Sequence, residues 1–404
     1  MTENALYRKQ SLNIGLLHWT MPPTTGGVES HIADLALALT EAGCGVTVMT
    51  GEPIPTPLTG VEIIYIPSFN LNSLQTGDSD SDNLEAILET EFGDCIIKRQ
   101  LKVVHGHNLH HFFPEPALAL DRLRKKLDFL LHHTFHETWP DVLHKSPIYR
   151  QWDANYAVSR FVQSECACRI GFEPDLLPLG IDTKRFRAQK PPLTKCDKFV
   201  ILHPARILPW KGVHISVEML AHLRDRGIEA RLIITDTQRI IDWNHSLVSY
   251  HQKILEQIKN LHLTNLVEFR SVPYQDIHYL YEEADVVVYP TVGEEPYGLV
   301  PLEAMSMARP IVASRSGGMT ETIVDGETGF LVDRGNSIVL ADRVEKLLKN
   351  PQLSQNMGQA GRQRVLDNFD GGKYSRELIE RYLSDHQRDS SFRKSTENLD
   401  HFKK

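Results

Sequence analysis

The sequence predicts an α/β protein made of two doubly wound, parallel-sheet domains, and three observations carry that expectation. At 404 residues the chain is too long for one ordinary core, and two units of about 180 residues are the natural division. Short β-branched runs alternate with helical apolar patterns along the chain, as parallel strands joined by crossover helices require. Near the middle, the polar stretch A-Q-K-P-P-L-T-K-C-D-K follows Arg187 and precedes a new strand, which marks a boundary. The expected division is 1–187 for the first domain, 188–368 for the second, 369–388 for a last helix and 389–404 for a polar, mobile tail.

Composition narrows the class. The net charge is −8, and residues 1–187 hold 23 acids against 16 bases, so nucleic acid is a poor partner. Basic clusters occur at Lys98, Arg99 and Lys102 and at Arg122, Arg124, Lys125 and Lys126. The second could touch anionic lipid, but nearby acids favour solvated helix faces for both. No apolar run reaches the roughly 18 residues of a membrane span, and Ile14 to Leu17 lacks a signal peptide's charge pattern and cleavage site, so a cytoplasmic protein is expected. Five cysteines, Cys44, Cys95, Cys166, Cys168 and Cys196, form no C-x-x-C pair and read as thiols of a reducing compartment.

The first domain opens with a buried-strand run, Leu12 to His18, the loop T-M-P-P-T-T-G-G-V-E-S-H, and a helix marked by Ile32, Leu35 and Leu39. Gly43 and Gly45 close that helix, and Val46 to Met49 is the second strand. Gly26 and Gly27 permit close backbone approach just ahead of a helix N-terminus, a place suited to phosphate, or else form a merely flexible turn. Neither G-x-G-x-x-G nor G-x-x-x-x-G-K-[ST] is present, which weakens a dinucleotide reading and removes a P-loop. Gln75 to Asp82 reads as a polar loop; Val103 to His107 and Phe129 to His133 read as strands. Eight of the nineteen histidines fall between His105 and His144, yet their spacing reproduces no metal motif, and no metal or other cofactor is expected.

The second domain opens with the strand Phe199 to Ala205, followed by Arg206-Ile-Leu-Pro-Trp-Lys211-Gly. Arg206 and Lys211 are an ordinary solvated loop or a phosphate clamp: Arg offers a planar fork, Lys a movable point charge. Arg231 to Thr235 is a strand that runs into Thr-Asp-Thr where a Gly-rich turn would be usual, and a long helical stretch continues to about Leu261. Val267 to Phe269 and Val286 to Tyr289 are further strands. Helices are then expected at Ile338 to Lys349, Leu353 to Asn368 and Tyr374 to Leu383.

The most informative stretch is GEEPYGLVPLEAMSMARPIVASRSGGMTETIVDGETGFLV, from Gly293 to Val332. It reads as a loop, a helix, a strand and a second short helix, with Glu295 ahead of the first helix and Glu303 within it. A helical rise separates their backbones by roughly 10 Å, too far for the paired carboxyls of a retaining glycosidase at about 5 Å, and better suited to two ends of an extended polar ligand. The pattern E-P-Y-G-L-V-P-L-E-A-M, then A-R-P-I-V-A-S, then G-G-x-x-E-x-I-x-D-G-x-x-G-F-L-V closely resembles the C-terminal signature of family 4 glycosyltransferases, retaining enzymes of the GT-B fold. Tyr297 departs from the family's usual Phe, Glu294 from a small residue, and Leu179 in LPLGIDTKRF from Asn.

The resemblance implies two Rossmann-like domains facing each other across a cleft, with the last helix crossing back onto the first. It assigns Glu295 to donor sugar hydroxyls, Glu303 to the ribose, Arg206 and Lys211 to the diphosphate, and the region of Ser271 to the base. Gly26, Gly27, Tyr297, Gly298, Leu299 and Val300 complete the expected donor side, and Glu29, His107 and His133 the acceptor side. For the histidine at the reaction centre, strand length favours His133, whereas the T-F-H tripeptide favours His136. The implied activity is metal-independent transfer of a sugar from a nucleotide-diphosphate sugar to the hydroxyl of a small-molecule or glycan acceptor. A nucleotide-sugar epimerase or phosphorylase of the same fold, or a non-catalytic nucleotide-sugar-binding subunit, is the alternative. The acidic first domain points to a neutral or cationic acceptor such as an aminocyclitol; oligomeric state is left open.

Overall fold

The computed structural model describes residues 12–24, 26–54, 57–71, 83–140, 143, 147–188, 198–235 and 247–401. The loop expected at Gln75 to Asp82, most of the stretch after Arg187, and Asp236-Thr237 lie outside the described residues. Strands β1 (Asn13–His18), β2 (Gly45–Thr50), β3 (Glu62–Tyr65), β4 (Val103–His107), β5 (Leu130–Phe135), β6 (Ala154–Ala157) and β7 (Asp175–Leu176) form one sheet in the order β3-β2-β1-β4-β5-β6-β7. A second sheet, β10-β9-β8-β11-β12-β13, is built from β8 (Phe199–His203), β9 (Ala230–Thr235), β10 (Val267–Arg270), β11 (Val286–Tyr289), β12 (Ile311–Ser314) and β13 (Phe330–Val332). Neighbouring strands are parallel in both sheets. Two Rossmann-like units of this kind make up the GT-B architecture.

Parallel sheets covered on both faces need strands that are apolar on both faces. β11 meets that need with Val286, Val287 and Val288, all fully buried, each contributing about 1.5–3 kcal/mol relative to exposure. β4 and β5 do not, because His105, His107, His132 and His133 are buried in them. The chain answers with internal partners: the His105 ring bonds the Tyr382 hydroxyl at 2.5 Å and the Thr134 hydroxyl at 2.8 Å, and His132 bonds the Tyr156 hydroxyl at 3.1 Å. In each sheet the strand order reverses direction at one place, between β1 and β4 and between β8 and β11. At such a switch point a crevice opens beyond the carboxyl ends of the strands, here at His18, His107, His203 and Tyr289.

Two expectations about element ends are corrected. The strand expected to stop at His133 continues through Phe135, because Thr134 and Phe135 favour extended backbone and the pairing runs on to Thr134 with β4 and to Phe135 with β6. The last helix spans Gly371–His401 rather than ending at Leu383. It starts immediately after a short break at Phe369 and Asp370 and packs on the first helix of the chain, Gly27–Glu41. At the break the Ile181 amide donates to the Phe369 carbonyl (3.0 Å) and the Gly371 amide to the Ile181 carbonyl (2.8 Å). A second tie joins the domains at the helix Arg160–Arg169. Ser159 caps it, accepting from the Val162 amide, while the Arg160 and Phe161 amides donate to the Glu321 carboxylate at 2.9 and 3.0 Å.

The basic clusters are solvated faces paired with acids: Arg122 with Glu85, Lys125 with Asp121, Lys126 with Glu89, Arg124 with Asp153 and Arg99 with Glu62. Among the described residues, no helix is long and apolar enough to cross a membrane.

Candidate active site

The second domain contributes a cation, a phenol and a carboxylate in one triangle. Lys211 Nζ lies 2.7 Å from Glu295 Oε2 and donates to the Tyr289 hydroxyl at 2.6 Å, and that hydroxyl donates to Glu295 at 2.7 Å. The members come from two strand ends: Lys211 from the turn after β8, Tyr289 from the last residue of β11 and Glu295 from the loop beyond it. The turn is pinned to that loop, because the Trp210 carbonyl accepts from the Val292 amide (2.8 Å) and the Thr291 hydroxyl (2.6 Å). Arg206 has no ion-pair partner among the described residues, although its charge acts on Glu29, Glu137 and Tyr289.

Behind the triangle the helix Leu299–Ser306 begins at Gly298, whose φ of +90° is left-handed and whose α-carbon faces Met319 so closely that a Cβ would sit 2.8 Å from it. Glycine is the residue that fits both demands. The amides of Leu299 and Val300 therefore lie in the first turn of a helix, where N–H groups lack intrahelical partners. Glu303, one turn on, accepts from the Tyr281 hydroxyl. Burial raises its carboxyl above the usual range, against that hydrogen bond and the charge of Arg185. Arg185 in turn pairs with Asp34 at 2.8 Å, and Tyr274 donates to the same carboxylate, so the first helix is tied to the second domain. Burial pushes Asp34 up to about 6. Ser271 is exposed, just past β10 on the edge of the second sheet.

Across the crevice, Gly26 precedes the first helix and Glu29 folds back over its N-terminus. A Cβ on Gly26 would lie 2.0 Å from Glu29 Oε2, so only glycine leaves the carboxylate its place; one on Gly27 would lie 3.5 Å from Leu299 Cδ1. The two glycine-led helix starts thus face each other. Burial alone would raise Glu29, but hydrogen bonding and charge from His18, and the charge of Arg206, hold it down at about 2. Thr20 also donates to it at 2.8 Å. From Glu29 a polar path runs inward: His18 Nε2 at 3.7 Å, His18 Nδ1 to the His107 carbonyl at 3.0 Å, and His107 Nδ1 to His136 Nε2 at 2.9 Å.

His136 and His133 part company here. His136 follows the end of β5 and sits with His107 and His31, ring centroids 5.2 and 5.6 Å away. His133, placed on the acceptor side from sequence, instead lies within the strand, packed on Tyr149 (4.8 Å), Trp152 (5.7 Å) and Phe135 (4.3 Å), with Nε2 accepting from the Leu109 amide. Alternation along an extended strand puts successive side chains on opposite faces, so His133 faces the aromatic core.

One carboxylate escaped the sequence reading. Glu137 accepts from Asn108 Nδ2 at 3.3 Å, and its carboxyl is pushed up to about 8 by burial, against Lys211 and Arg206 and with the help of Glu29 and Glu295. An acid directly after T-F-H was the available signal. One departure has a structural account: the Tyr297 hydroxyl is buried and donates to the backbone carbonyl of Leu179 at 2.6 Å, so Tyr297 ties the domains with its side chain. Tyr297→Phe is expected to cost about 1 kcal/mol of stability, read as a lower thermal midpoint with donor affinity little changed. Glu294 is likewise structural, pairing with Arg334 at 2.7 Å and accepting from the Gly317 amide at 3.0 Å. Among the described residues, no three His, Cys, Asp or Glu side chains are grouped to hold a metal ion.

A two-domain fold with cations, carboxylates and facing helix starts at its switch points defines the class of GT-B proteins. Residues 25–185 match the model described as Glycosyltransferase Family 4, and residues 184–364 that described as Glycosyl transferases group 1. The chain belongs to glycosyltransferase family 4. It is 30% identical over 228 residues to the GDP-mannose-dependent alpha-(1-6)-phosphatidylinositol monomannoside mannosyltransferase of Mycolicibacterium smegmatis, covering 52% of this chain and 57% of that protein. To the capsular polysaccharide biosynthesis glycosyltransferase CapM of Staphylococcus aureus it is 29% identical, over 43% of each chain. The chain thus spans about half the length of these two relatives. Among solved structures, a glycosyltransferase from Rickettsia africae superposes with a TM-score of 0.75 at 20% identity, over 93% of this chain and 98% of that one. HepE of Anabaena in complex with UDP-glucose superposes at 0.73 and 18% identity, over 92% and 100%.

Proposed function

We propose that the protein is a cytoplasmic, retaining, metal-independent glycosyltransferase that moves a sugar from a nucleotide-diphosphate sugar to an acceptor hydroxyl. The observation that carries this reading is the convergence of Lys211, Glu295 and Tyr289 in front of the helix start at Leu299, with the Arg206 charge beside them. In the reaction the bond from the anomeric carbon to the diphosphate oxygen breaks, and negative charge develops on the departing diphosphate. Arg206, Lys211 and the Leu299 and Val300 amides stabilise that charge, the task a divalent metal performs elsewhere. Glu295 turns from Lys211 to the sugar hydroxyls when the diphosphate takes its place, and Glu303 receives the ribose. The acceptor oxygen attacks on the face the diphosphate leaves, and its proton passes to a diphosphate oxygen.

His136 closes the sugar side of this arrangement, and its burial keeps the ring neutral with a pKa well below the ordinary value. His136→Ala should lower kcat by about 10²-fold with a small change in thermal midpoint. His133→Ala should do the reverse, costing about 3 kcal/mol of stability from the lost aromatic packing while kcat in the folded fraction stays near wild type. Paired kinetics and calorimetry check both.

The reading is tested by a thermal-shift screen of nucleotide sugars with EDTA throughout, led by GDP-mannose and UDP-glucose, followed by NMR of the product anomer. A ligand at about 100 times its Kd adds roughly 2.7 kcal/mol. A selective shift, turnover in EDTA and an unchanged anomeric configuration support the proposal. An inverted product would remove the retaining mechanism, and dependence on added metal would remove metal independence. Donor consumption without any acceptor would favour the epimerase, phosphate dependence the phosphorylase, and selective binding without turnover the non-catalytic subunit.

A further inference from the structure

Trp139 and Trp210 come from different domains, three residues beyond His136 and immediately before Lys211. Their ring centroids are 6.3 Å apart with planes at 73°, so the edge of one indole meets the face of the other and the pair forms an aromatic corner. Both remain open to solvent, at 37% and 38% exposure, although Trp19 and Trp152 are buried. Each is held in place. The Trp210 carbonyl is bonded to Val292 and Thr291, and Gly293 abuts its side chain so closely that a Cβ there would sit 3.1 Å away. Trp139 lies parallel to the buried His111 ring, 11° between planes and 6.1 Å between centroids.

Flat apolar faces therefore stand beside the polar groups of the crevice, and one ligand chemistry matches that mixture. A pyranose has an apolar C–H face that packs on an indole and a rim of hydroxyls that both donate and accept. Glu137, two residues before Trp139 and bonded to Asn108, is an acceptor for such hydroxyls. An aliphatic lipid chain would leave that carboxyl facing hydrocarbon. A polyanionic acceptor would meet the Glu29 and Glu295 carboxylates together, a like-charge juxtaposition.

We propose that Trp139 and Trp210 form the acceptor subsite, and that the acceptor is a saccharide whose terminal ring stacks on this indole corner. The assignment rests on the transferase reading above. In the test, the full chain is saturated with the nucleoside diphosphate that binds it best and titrated by calorimetry with methyl α- and β-pyranosides, maltose and cellobiose. At least one probe should bind saturably, with Kd raised about tenfold or more in Trp139→Ala and in Trp210→Ala. Trp139→Phe and Trp210→Phe should restore most of that affinity, which a loss of fold or of general polarity would not do. Nucleoside diphosphate affinity, measured on the same variants, reports on the donor side and on folding. Saccharide binding that is indifferent to both alanine changes would overturn the proposal, as would a non-sugar alcohol serving as acceptor while every saccharide fails. If no nucleotide sugar or nucleoside diphosphate binds the wild-type protein, the transferase reading fails first and takes this one with it.

Discussion

Lys211→Ala should lower kcat/KM for sugar transfer by about 10²–10³-fold, the usual loss when one preorganised partner of developing charge is removed. The substitution deletes the ammonium that bridges Tyr289 and Glu295, but leaves the Tyr289 hydroxyl donating to the Glu295 carboxylate at 2.7 Å. The carboxylate keeps a partner, so the fold should survive and the thermal midpoint should move far less than the rate. Lys211→Arg should rescue poorly, because the cation sits 2.6 and 2.7 Å from two oxygens in a space shaped for a point charge, and a planar fork does not fit there. Initial rates and donor affinity measured together decide the matter: full transfer by Lys211→Ala would end the diphosphate role.

Stability should fall steeply on acidification, by several kcal/mol between about pH 7 and 5. Burial lowers the pKa of His31, His132 and His203 to about 3, and holds His105, His107 and His136 well below their ordinary value. In the unfolded chain these rings take protons near pH 6.5, whereas the folded protein refuses them until far lower. The stabilisation is therefore complete above the unfolded value and is lost as pH falls toward the folded one. Asp34 and Glu137 act in the opposite sense, since burial raises them to about 6 and about 8 and their protonated forms favour the folded state as pH falls. They offset part of the loss. Burial also raises Glu91, Asp285, Glu303 and Asp385, which adds to that offset; each net proton taken up on unfolding changes stability by about 1.4 kcal/mol per pH unit, and the depression of the six histidines is the larger effect. Urea midpoints at half-unit pH steps test this; a flat profile across the window would show that the histidine layer is hydrated.

What could be read from the sequence depended on how far a signal had to travel. The strand, loop and helix around Glu295 and Glu303 are a local pattern of period and punctuation, and the parallel two-sheet fold follows from repeating it. The end of β5 was less legible, because Thr134 and Phe135 continue a strand as readily as they begin a loop, and that single ambiguity exchanges the surroundings of His133 and His136. Tyr297 and Leu179 are 118 positions apart, and only the fold shows the phenol of one donating to the backbone carbonyl of the other, a contact that accounts for tyrosine at 297 but not for leucine at 179. Glu137 carried only its place directly after T-F-H. Its perturbed carboxyl is a product of burial beside charges from the other domain, which no local window contains.

The chain passes between the domains twice, and its return at Phe369 to Gly371 is fastened to Ile181, a few residues ahead of the outward passage. A Cβ on Gly180 would strike the Gly371 α-carbon at 2.7 Å, so these two segments lie as close as backbones can. Two strands of chain joined at one point resist sliding and stretching but still allow rotation, as the pin of a door hinge does. A swing about an axis near Ile181 would open the crevice only once the ties at Glu321 and Asp34 part, and its greatest travel would belong to the groups farthest from the pin. A single glycine-to-alanine change at position 180 would act on the arc of that swing and not on the chemistry it encloses.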